Sequence, residues 1–362
     1  MKRTVRKFSE SWRITWAIAA KDIVDALRNK TTLSIVVGVA FLMFTAMAGP
    51  LLLGLKDTPS AVVYDPGKSA LIKALTARSE FRLRLADSLG EVKTVVVESP
   101  NVLLGLAIPP DFGSGGSVVL DGYAAHWADP ALVAERAAFF EEQLGQASSQ
   151  AVRINTAGRV IYPSLDAGGQ PFMISLALTI MILAVGFALV PYLLVEEKET
   201  HTFEALLVSP ARFSQVAAGK ALAGACYCLS AAVVVFLFNA KLFVHWEVAI
   251  LAVLLGAAFA VAVGLLMGAL FDNPATINLW VGVLFMLLLV PTFLAALDNT
   301  KLPEVVRTIT PWLPSVALGR LLKIAMAGDV PAALLWPNVA VLAVSALVVY
   351  ALVVWRVRRS DR

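Results

Sequence analysis

Residues 248–271 read VAILAVLLGAAFAVAVGLLMGALF, and this stretch contains no charged side chain. A charge at the centre of a lipid bilayer costs about 3 kcal/mol or more, so charge-free runs mark segments that cross membranes. A helix of about 20 apolar residues covers the hydrocarbon layer, and this stretch reaches that length. It therefore predicts a transmembrane helix.

Other charge-free runs of similar length occur along the chain: Thr31–Leu55, Ala167–Val195, Ala221–Ala240, Asn273–Leu297 and Val330–Trp355. Gly168-Gly169-Gln170-Pro171 is typical of a turn, so the second helix should begin after it. We predict six transmembrane helices, over residues 31–55, 171–195, 216–240, 248–271, 273–297 and 330–355. The expected fold class is an all-α polytopic membrane protein.

The composition agrees with this class and excludes several others. Hydrophobic residues make up 59% and charged residues 15% of the chain, whereas soluble proteins have about 45–50% and 25%. Cys226 and Cys228 would lie on different faces of one helix, which excludes a disulfide framework and a four-ligand zinc site. Gly219-Lys220 is followed by alanine and lacks the first glycine of a P-loop. The chain is therefore not expected to hydrolyse ATP or to bind a cofactor.

Basic residues cluster at both ends of the sequence, in residues 1–30 and 356–362. This distribution predicts that both termini lie in the cytoplasm, as an even number of spans requires. The expected location is the inner (plasma) membrane. In the leader, residues 1–30, Phe8, Trp12, Trp16, Ala19 and Ile23 recur at helical spacing. We expect an interfacial helix on the membrane surface, and the alternative is a basic flank that only fixes orientation.

Residues 56–170 predict an extracytoplasmic α+β domain inserted between the first and second spans. The expected strands are Ala61–Tyr64, Phe81–Leu85, Leu104–Ile108 and Val118–Leu120, and the expected helices are 68–79 and 130–155. We find no catalytic constellation in this segment. His126 and Asp129 could bind a metal, but two candidate ligands in a loop are more typical of a solvated loop.

Residues 196–210 read EEKETHTFEALLVSP and would lie in the cytoplasm, within a coupling segment over 196–215. Phe203, Leu206 and Leu207 share one face of a short helix, which Pro210 should end. Glu199 and Glu204 lie elsewhere on that helix. Basic residues are preferred beneath a membrane, so an acidic amphipathic helix there indicates docking to a basic groove on a soluble partner.

Two further features concern packing. Gly264-x-x-x-Gly268 permits close contact between helices. The extracytoplasmic loop 298–329 is interrupted by Pro303, Pro311 and Pro314, and then continues as an apolar segment, Val316–Ala327, that carries Arg320 and Lys323. That segment is either a re-entrant piece that dips into the outer leaflet or an ordinary surface helix.

The run EEKETHTFEALLVSP closely resembles the E-[KR]-E-x-x-T-x-E-x-L-L-x-[ST]-P signature of ABC-2 type transporter permeases. The resemblance also includes the KDIVDALRN leader at 21–29, the landmarks VVYDP and AIPPDF, and the proline-broken loop. His201 departs from the family pattern, which usually has Arg, Gly or Asn there. The layout is similar to the sodium- and drug-export branch, which includes the permease of the bacterial sodium-efflux pump.

This resemblance implies a translocation pathway built by two permeases, the same or related chains, with two copies of a separate ABC ATPase that binds ATP and Mg. It assigns contact with the ATPase to Glu196, Glu197, Lys198, Glu199, Thr202, Phe203, Glu204, Leu206, Leu207 and Pro210. It also implies that cargo leaves past the loop that contains Pro311 and Pro314. Membrane lipids are expected partners, and nucleic acid is not.

Three alternatives belong to other classes. A membrane receptor would need a cytoplasmic output domain, and the longest inside segment is the leader. An intramembrane enzyme would need polar catalytic residues within the spans. An ion-coupled secondary carrier often has a charged residue at mid-membrane, whereas the charge-free runs have none. The cargo remains open among sodium, a drug, a lipid and a peptide.

Overall fold

The computed structural model describes residues 12–24, 58–67, 72, 75, 76, 80–99, 101–110, 112, 116–199, 213–295 and 303–360. Within these residues, five helices are long and apolar enough to cross a membrane: Gly169–Val195, Gln215–Leu242, Trp246–Leu270, Pro274–Leu294 and Ala332–Arg356. The chain is therefore a mostly helical, polytopic membrane protein. The predicted first span, 31–55, lies outside the described residues.

The first elements are a leader helix α1 over residues 12–24 and a sheet with strands β1 Ser60–Tyr64, β2 Arg82–Ala86, β3 Leu104–Ala107, β4 Ser117–Ala125, β5 Ala151–Asn155 and β6 Val160–Ile161. The strand order is β2-β1-β3-β4-β5, and β6 pairs with the end of β4. Helix α2, Leu89–Glu98, packs on one face and α3, Pro130–Ser148, on the other. Val62 faces α2, whereas Ala61 and Val63 face the opposite layer, because successive strand side chains alternate.

The end of α3 corrects one expectation. Asp129 caps the start of this helix by accepting a hydrogen bond from the Ala131 amide, but the helix ends at Ser148 instead of continuing to residue 155. Ser149 has the left-handed conformation that commonly ends helices. Residues 151–155 instead form β5, parallel to β4. The expected helix over 130–155 was therefore wrong in its last part.

The second half of the chain is a helical bundle: α4 Gly169–Ala184, α5 Val190–Glu199, α6 Phe213–Asn239, α7 Trp246–Leu270, α8 Pro274–Leu294, α9 Glu304–Ile309, α10 Pro314–Met326 and α11 Ala332–Ser360. A π-helical turn, Val185–Leu189, joins α4 to α5, so the backbone is helical from Gly169 to Glu199. Gly169-Gln170-Pro171 therefore forms the first turn of α4, where a proline is tolerated because its missing N–H would have no helical partner.

Helix α7 lies at the centre of the bundle and contacts α4, α5, α6, α10 and α11. Its glycines permit this position. A Cβ added at Gly264 would lie 2.2 Å from the carbonyl oxygen of Gly186, and one at Gly268 would lie 2.9 Å from the Leu194 side chain. The close packing that the Gly264-x-x-x-Gly268 spacing predicted is therefore confirmed.

Helix α10 bears on the two alternatives for the apolar segment Val316–Ala327. Pro314 occupies its first turn, so this residue begins a helix rather than only interrupting a loop. Most of the helix is buried against α4, α7, α8 and α11, and the Ser315 hydroxyl donates a hydrogen bond to the carbonyl of Leu288 in α8, at 2.7 Å. The segment is not an ordinary surface helix. With 13 residues, it is also too short to cross a membrane.

Candidate functional site

A cavity of about 200 Å³ lies where α10 meets α4, α8 and α11. By the predicted orientation, this is the outer end of α4. We call it the cationic cavity, after Arg320 and Lys323, the basic residues in its lining. The remaining lining residues include one acid, three neutral polar residues and apolar side chains: Asp166; Ser175, Thr292 and Asn338; Phe172, Val316 and Leu334.

Lys323 contributes charge to the cavity while holding neighbouring backbone in place. Its Nζ donates hydrogen bonds to the carbonyl oxygens of Leu165, at 3.1 Å, and Ala167, at 3.0 Å. The same nitrogen lies 5.3 Å from the centre of the Phe172 ring, a distance suited to a cation–π interaction. Burial lowers the pKa of Lys323, and the negative charge of Asp166 opposes that effect.

Arg320 is placed differently. It lies one turn before Lys323 on α10, lines the same cavity and is only partly exposed. Within the part of the chain that the structure describes, no hydrogen bond or ion pair to its guanidinium is found, although Asp166 is near enough to interact through its charge. Arg320 therefore brings up to five donors to the cavity wall.

The neutral polar side chains of the lining bond within their own helices. Ser175 donates to the carbonyl of Phe172 at 2.8 Å, Thr292 to that of Leu288 at 2.8 Å, and Asn338 to that of Leu334 at 2.6 Å. Such bonds give each of these side chains a partner within its own helix. The site chemistry of the cavity therefore depends mainly on its charged residues.

Residues 165–168, beside the cavity, also join the sheet region to helix α4. The Glu98 carboxylate, at the end of α2, accepts a hydrogen bond from the Gly168 amide at 2.7 Å. Gly169 has φ +58°, and an added Cβ there would lie 2.1 Å from the Glu98 carbonyl oxygen. Only glycine fits this position, because both the conformation and the contact exclude a side chain.

A buried ion pair connects the leader to the bundle at the opposite end, near the predicted coupling segment. Lys220 Nζ, in α6, lies 3.3 Å from Asp22 Oδ2, in α1, and the two side chains are 1% and 7% exposed. The Tyr227 hydroxyl donates to the backbone carbonyl of Asp22. We call this arrangement the Asp22–Lys220 pair.

Sequence reasoning missed this pair. Lys220 lies just before the charge-free run 221–240, yet it belongs to the candidate span Gln215–Leu242. The charge-free runs therefore lack charged residues, whereas this whole helix does not. A signal was present in the leader: Thr15, Ala19 and Asp22 share one helical face, and all three are buried. Trp12 and Trp16 are exposed; their place at the membrane surface stays a prediction.

The structure covers only part of the predicted coupling site. Residues Glu196, Glu197, Lys198 and Glu199 form the last turn of α5, whereas Thr202, Phe203, Glu204, Leu206, Leu207 and Pro210 lie outside the described residues. Pro311 lies in a 3-10 turn, Thr310–Trp312, directly before Pro314 and α10. Of the prolines assigned to cargo exit, Pro311 thus lies just before the helix that carries Arg320 and Lys323, and Pro314 lies in its first turn.

Comparison with known proteins identifies a family. A family model described as ABC-2 family transporter protein matches residues 30–355, which is most of the chain. No curated protein matches the sequence.

Proposed function

The chain belongs to the ABC-2 family of transporter proteins, and on that premise we propose that it is the permease subunit of an exporter driven by ATPase subunits on separate chains. Members of this family are the membrane component of a transporter and are not themselves catalytic. The proposal adds two copies of an ABC ATPase, which bind ATP and Mg, and a second permease of the same or a related sequence.

The helical backbone from Gly169 to Glu199 supports the transmission of movement from the ATPase to the far end of the bundle. One end of it lies beside the cationic cavity, and the other leads into the coupling segment. Movement imposed on residues 196–210 would therefore be transmitted along one continuous element to the Gly168–Gly169 junction. The π-helical turn at Val185–Leu189 lies between the two ends, and such turns occur frequently at functional sites.

The leader offers a second route for the same movement. Because the Asp22–Lys220 pair is buried, α1 cannot separate from α6 without exposing or unpairing two charges. Closure of the ATPase subunits against the leader and the coupling segment would then move α6 and α5 together. We therefore propose that the leader, like the coupling segment, transmits movement from the ATPase to the bundle.

The exposed apolar surface of the bundle supports pairing with a second permease. Leu279, Met286 and Leu287 on α8, and Leu347 and Val348 on α11, are exposed. Side chains of this kind contact either lipid or another apolar protein surface. We propose that part of this surface forms the contact between two permeases, with the cargo pathway along it and membrane lipids around the rest.

The branch of the family to which the chain belongs is a finer proposal. The leader, the landmarks VVYDP and AIPPDF, and the loop before the last span support the sodium- and drug-export branch.

We propose the inner (plasma) membrane as the location. Both termini would lie in the cytoplasm, because basic residues cluster at both ends.

One observation favours a second candidate, an ion-coupled secondary carrier. Buried charged residues in membrane helices often mark ion pathways, and Lys220 is such a residue. However, Lys220 lies near the start of the span Gln215–Leu242, whereas carrier sites lie near the membrane midplane. The pair therefore fits a contact between helices better than a transport site.

Reconstitution separates the two candidates. The purified chain in liposomes should show no ATPase activity and no transport driven by a proton or sodium gradient. Addition of the cognate ATPase should produce hydrolysis and export together. Transport by the chain alone down an imposed ion gradient, at a comparable rate, would reject the permease proposal in favour of the carrier.

A further inference from the structure

Two acids act on the basic residues of the cationic cavity: Asp166 in its lining, and Glu98 outside the lining. Arg320 and Lys323 each carry a positive charge, and Asp166 is the acid in the lining. Lys323 is already engaged with two carbonyl oxygens. Arg320 therefore has the donors that a negatively charged group from outside the chain could use.

Arginine is suited to that role. Its planar guanidinium donates two parallel hydrogen bonds to a carboxylate or a phosphate, and such charge-assisted bonds are stronger than neutral ones. A partly buried charge without such bonds is costly. An anionic group against Arg320 would accept hydrogen bonds from these donors.

The rest of the lining is suited to an apolar chain. Phe172, Val316 and Leu334 provide apolar contact, and Leu334 is also exposed at the surface of α11. Exposed Phe293, near the end of α8, packs edge-on against Phe172. The apolar side of the cavity is therefore continuous with the apolar outer surface of two candidate spans.

From this combination we propose that the cationic cavity binds an anionic amphiphile, with its carboxylate or phosphate headgroup at Arg320 and its apolar chain along Phe172 and Leu334. The volume is sufficient for a headgroup and the first part of a chain: about 200 Å³ is available, and a cavity of about 150 Å³ already admits benzene. Binding by the chain alone is the claim, so it does not depend on the proposed transport function.

The test is equilibrium binding to the full chain in neutral detergent, with empty micelles as the background. The probe is a long-chain fatty acid with a dansyl group at its far end, and the comparison compound is its methyl ester. The acid should bind saturably and at least tenfold more tightly than the ester, because only the acid has a negative headgroup. Equal binding of acid and ester, or no saturable binding, would overturn the proposal.

Variants locate the site. Arg320→Gln should weaken binding of the acid at least tenfold, Arg320→Lys should weaken it less, and Lys241→Gln, at an exposed lysine outside the cavity, should leave it unchanged. Folded Arg320→Gln that binds like the unmodified chain would contradict the proposal. If that variant does not fold, the comparison of acid and ester on the unmodified chain still tests whether a negative headgroup is required for binding.

Competition identifies the source of the anion. A monoalkyl phosphate should displace the dansyl acid, because it shares both the charge and the chain. Inorganic phosphate should not displace it at millimolar concentration. Displacement by inorganic phosphate as effective as by the alkyl phosphate would show a site for a free anion and would overturn the amphiphile proposal.

Discussion

Lys220 Nζ lies 3.3 Å from Asp22 Oδ2, and both side chains are almost completely removed from solvent. The two residues belong to elements at opposite ends of a long stretch of sequence, the leader helix and the helix α6. The contact fixes where the leader packs against the bundle. A leader that only marked orientation through its charge would need no such contact.

The first prediction concerns this pair. Lys220→Met should destabilise the chain by about 3–5 kcal/mol, because it removes the Lys220 ammonium from the buried Asp22 carboxylate. Thermal unfolding in detergent measures the effect. Lys241→Met is the matched control: Lys241 lies 3.8 Å from Asp129 with 74% of its side chain exposed, and exposed pairs contribute about 1 kcal/mol or less.

The double variant Asp22→Asn/Lys220→Met distinguishes a lost partner from a lost residue. Removing both charges should recover much of the stability that the single change removes. A double variant as unstable as Lys220→Met alone would count against this explanation.

The second prediction concerns His126. Its Nε2 lies 3.1 Å from the carbonyl oxygen of Leu242 and must donate to it, while its buried Nδ1 has no hydrogen-bond partner in the described part of the chain. Burial lowers the pKa of His126, and the bond to Leu242 partly opposes this. The folded protein therefore favours the neutral ring.

The lowered pKa of His126 sets the direction in which the free energy of unfolding changes with pH. Above the unfolded pKa, near 6.5, both states are neutral at this residue and its contribution to stability is complete. Below it the unfolded chain binds a proton first, so the free energy of unfolding should fall by at most about 1.4 kcal/mol for each pH unit until the folded pKa is reached. His126→Gln should flatten this dependence in denaturant unfolding, and His245→Gln should retain it. Equal slopes in the unmodified chain and His126→Gln would refute the assignment.

The third prediction concerns close packing at Gly264. Gly264→Ala should destabilise the bundle by about 1–3 kcal/mol, because an added Cβ would lie 2.2 Å from the Gly186 carbonyl oxygen. Gly282→Ala, in another candidate span, is the control, since nothing lies within 4 Å of a Cβ there. Similar melting temperatures for the two variants would contradict the close contact.

The fourth prediction concerns docking of the ATPase. Replacing Glu199 and Glu204 with Lys should abolish co-purification with the ATPase, because loss of one partner of a desolvated charge pair costs about 2–5 kcal/mol. The variant should still insert into the membrane. Glu135→Lys/Glu142→Lys, on helix α3, should co-purify normally. Full complex yield from Glu199→Lys/Glu204→Lys would remove these two residues from the docking site.

The fifth prediction concerns orientation. In a background without Cys226 and Cys228, a cysteine at exposed Glu135 should react with a membrane-impermeant thiol reagent in intact cells. A cysteine at exposed Arg358 should react only after lysis. The reverse pattern would invert the topology and place the coupling segment outside the cell.

Much of the helical bundle could be predicted from the sequence. The charge-free run Val248–Phe271 corresponds to the helix Trp246–Leu270, and Asn273–Leu297 to Pro274–Leu294. These predictions succeed because the cost of burying a charge in hydrocarbon is a local property, which each residue carries without regard to its neighbours. Gly168-Gly169-Gln170-Pro171 was interpreted as a turn, and the helix was predicted to begin at residue 171. In the structure α4 begins at Gly169, so a turn-like composition was a less reliable indicator than the absence of charge.

Hydropathy along the chain was enough to predict which segments can cross a membrane, and the motif at residues 196–210 was enough to indicate a resemblance to transporter permeases. Three contacts could be known only from the folded chain: Lys220 with Asp22, Glu98 with Gly168, and Arg320 and Lys323 with Asp166 around one cavity. Hydropathy and helix propensity are properties of residues that are neighbours in sequence, so a sequence pattern reports them directly. These contacts instead join residues distant along the chain, and their energies arise only when packing removes water from between them.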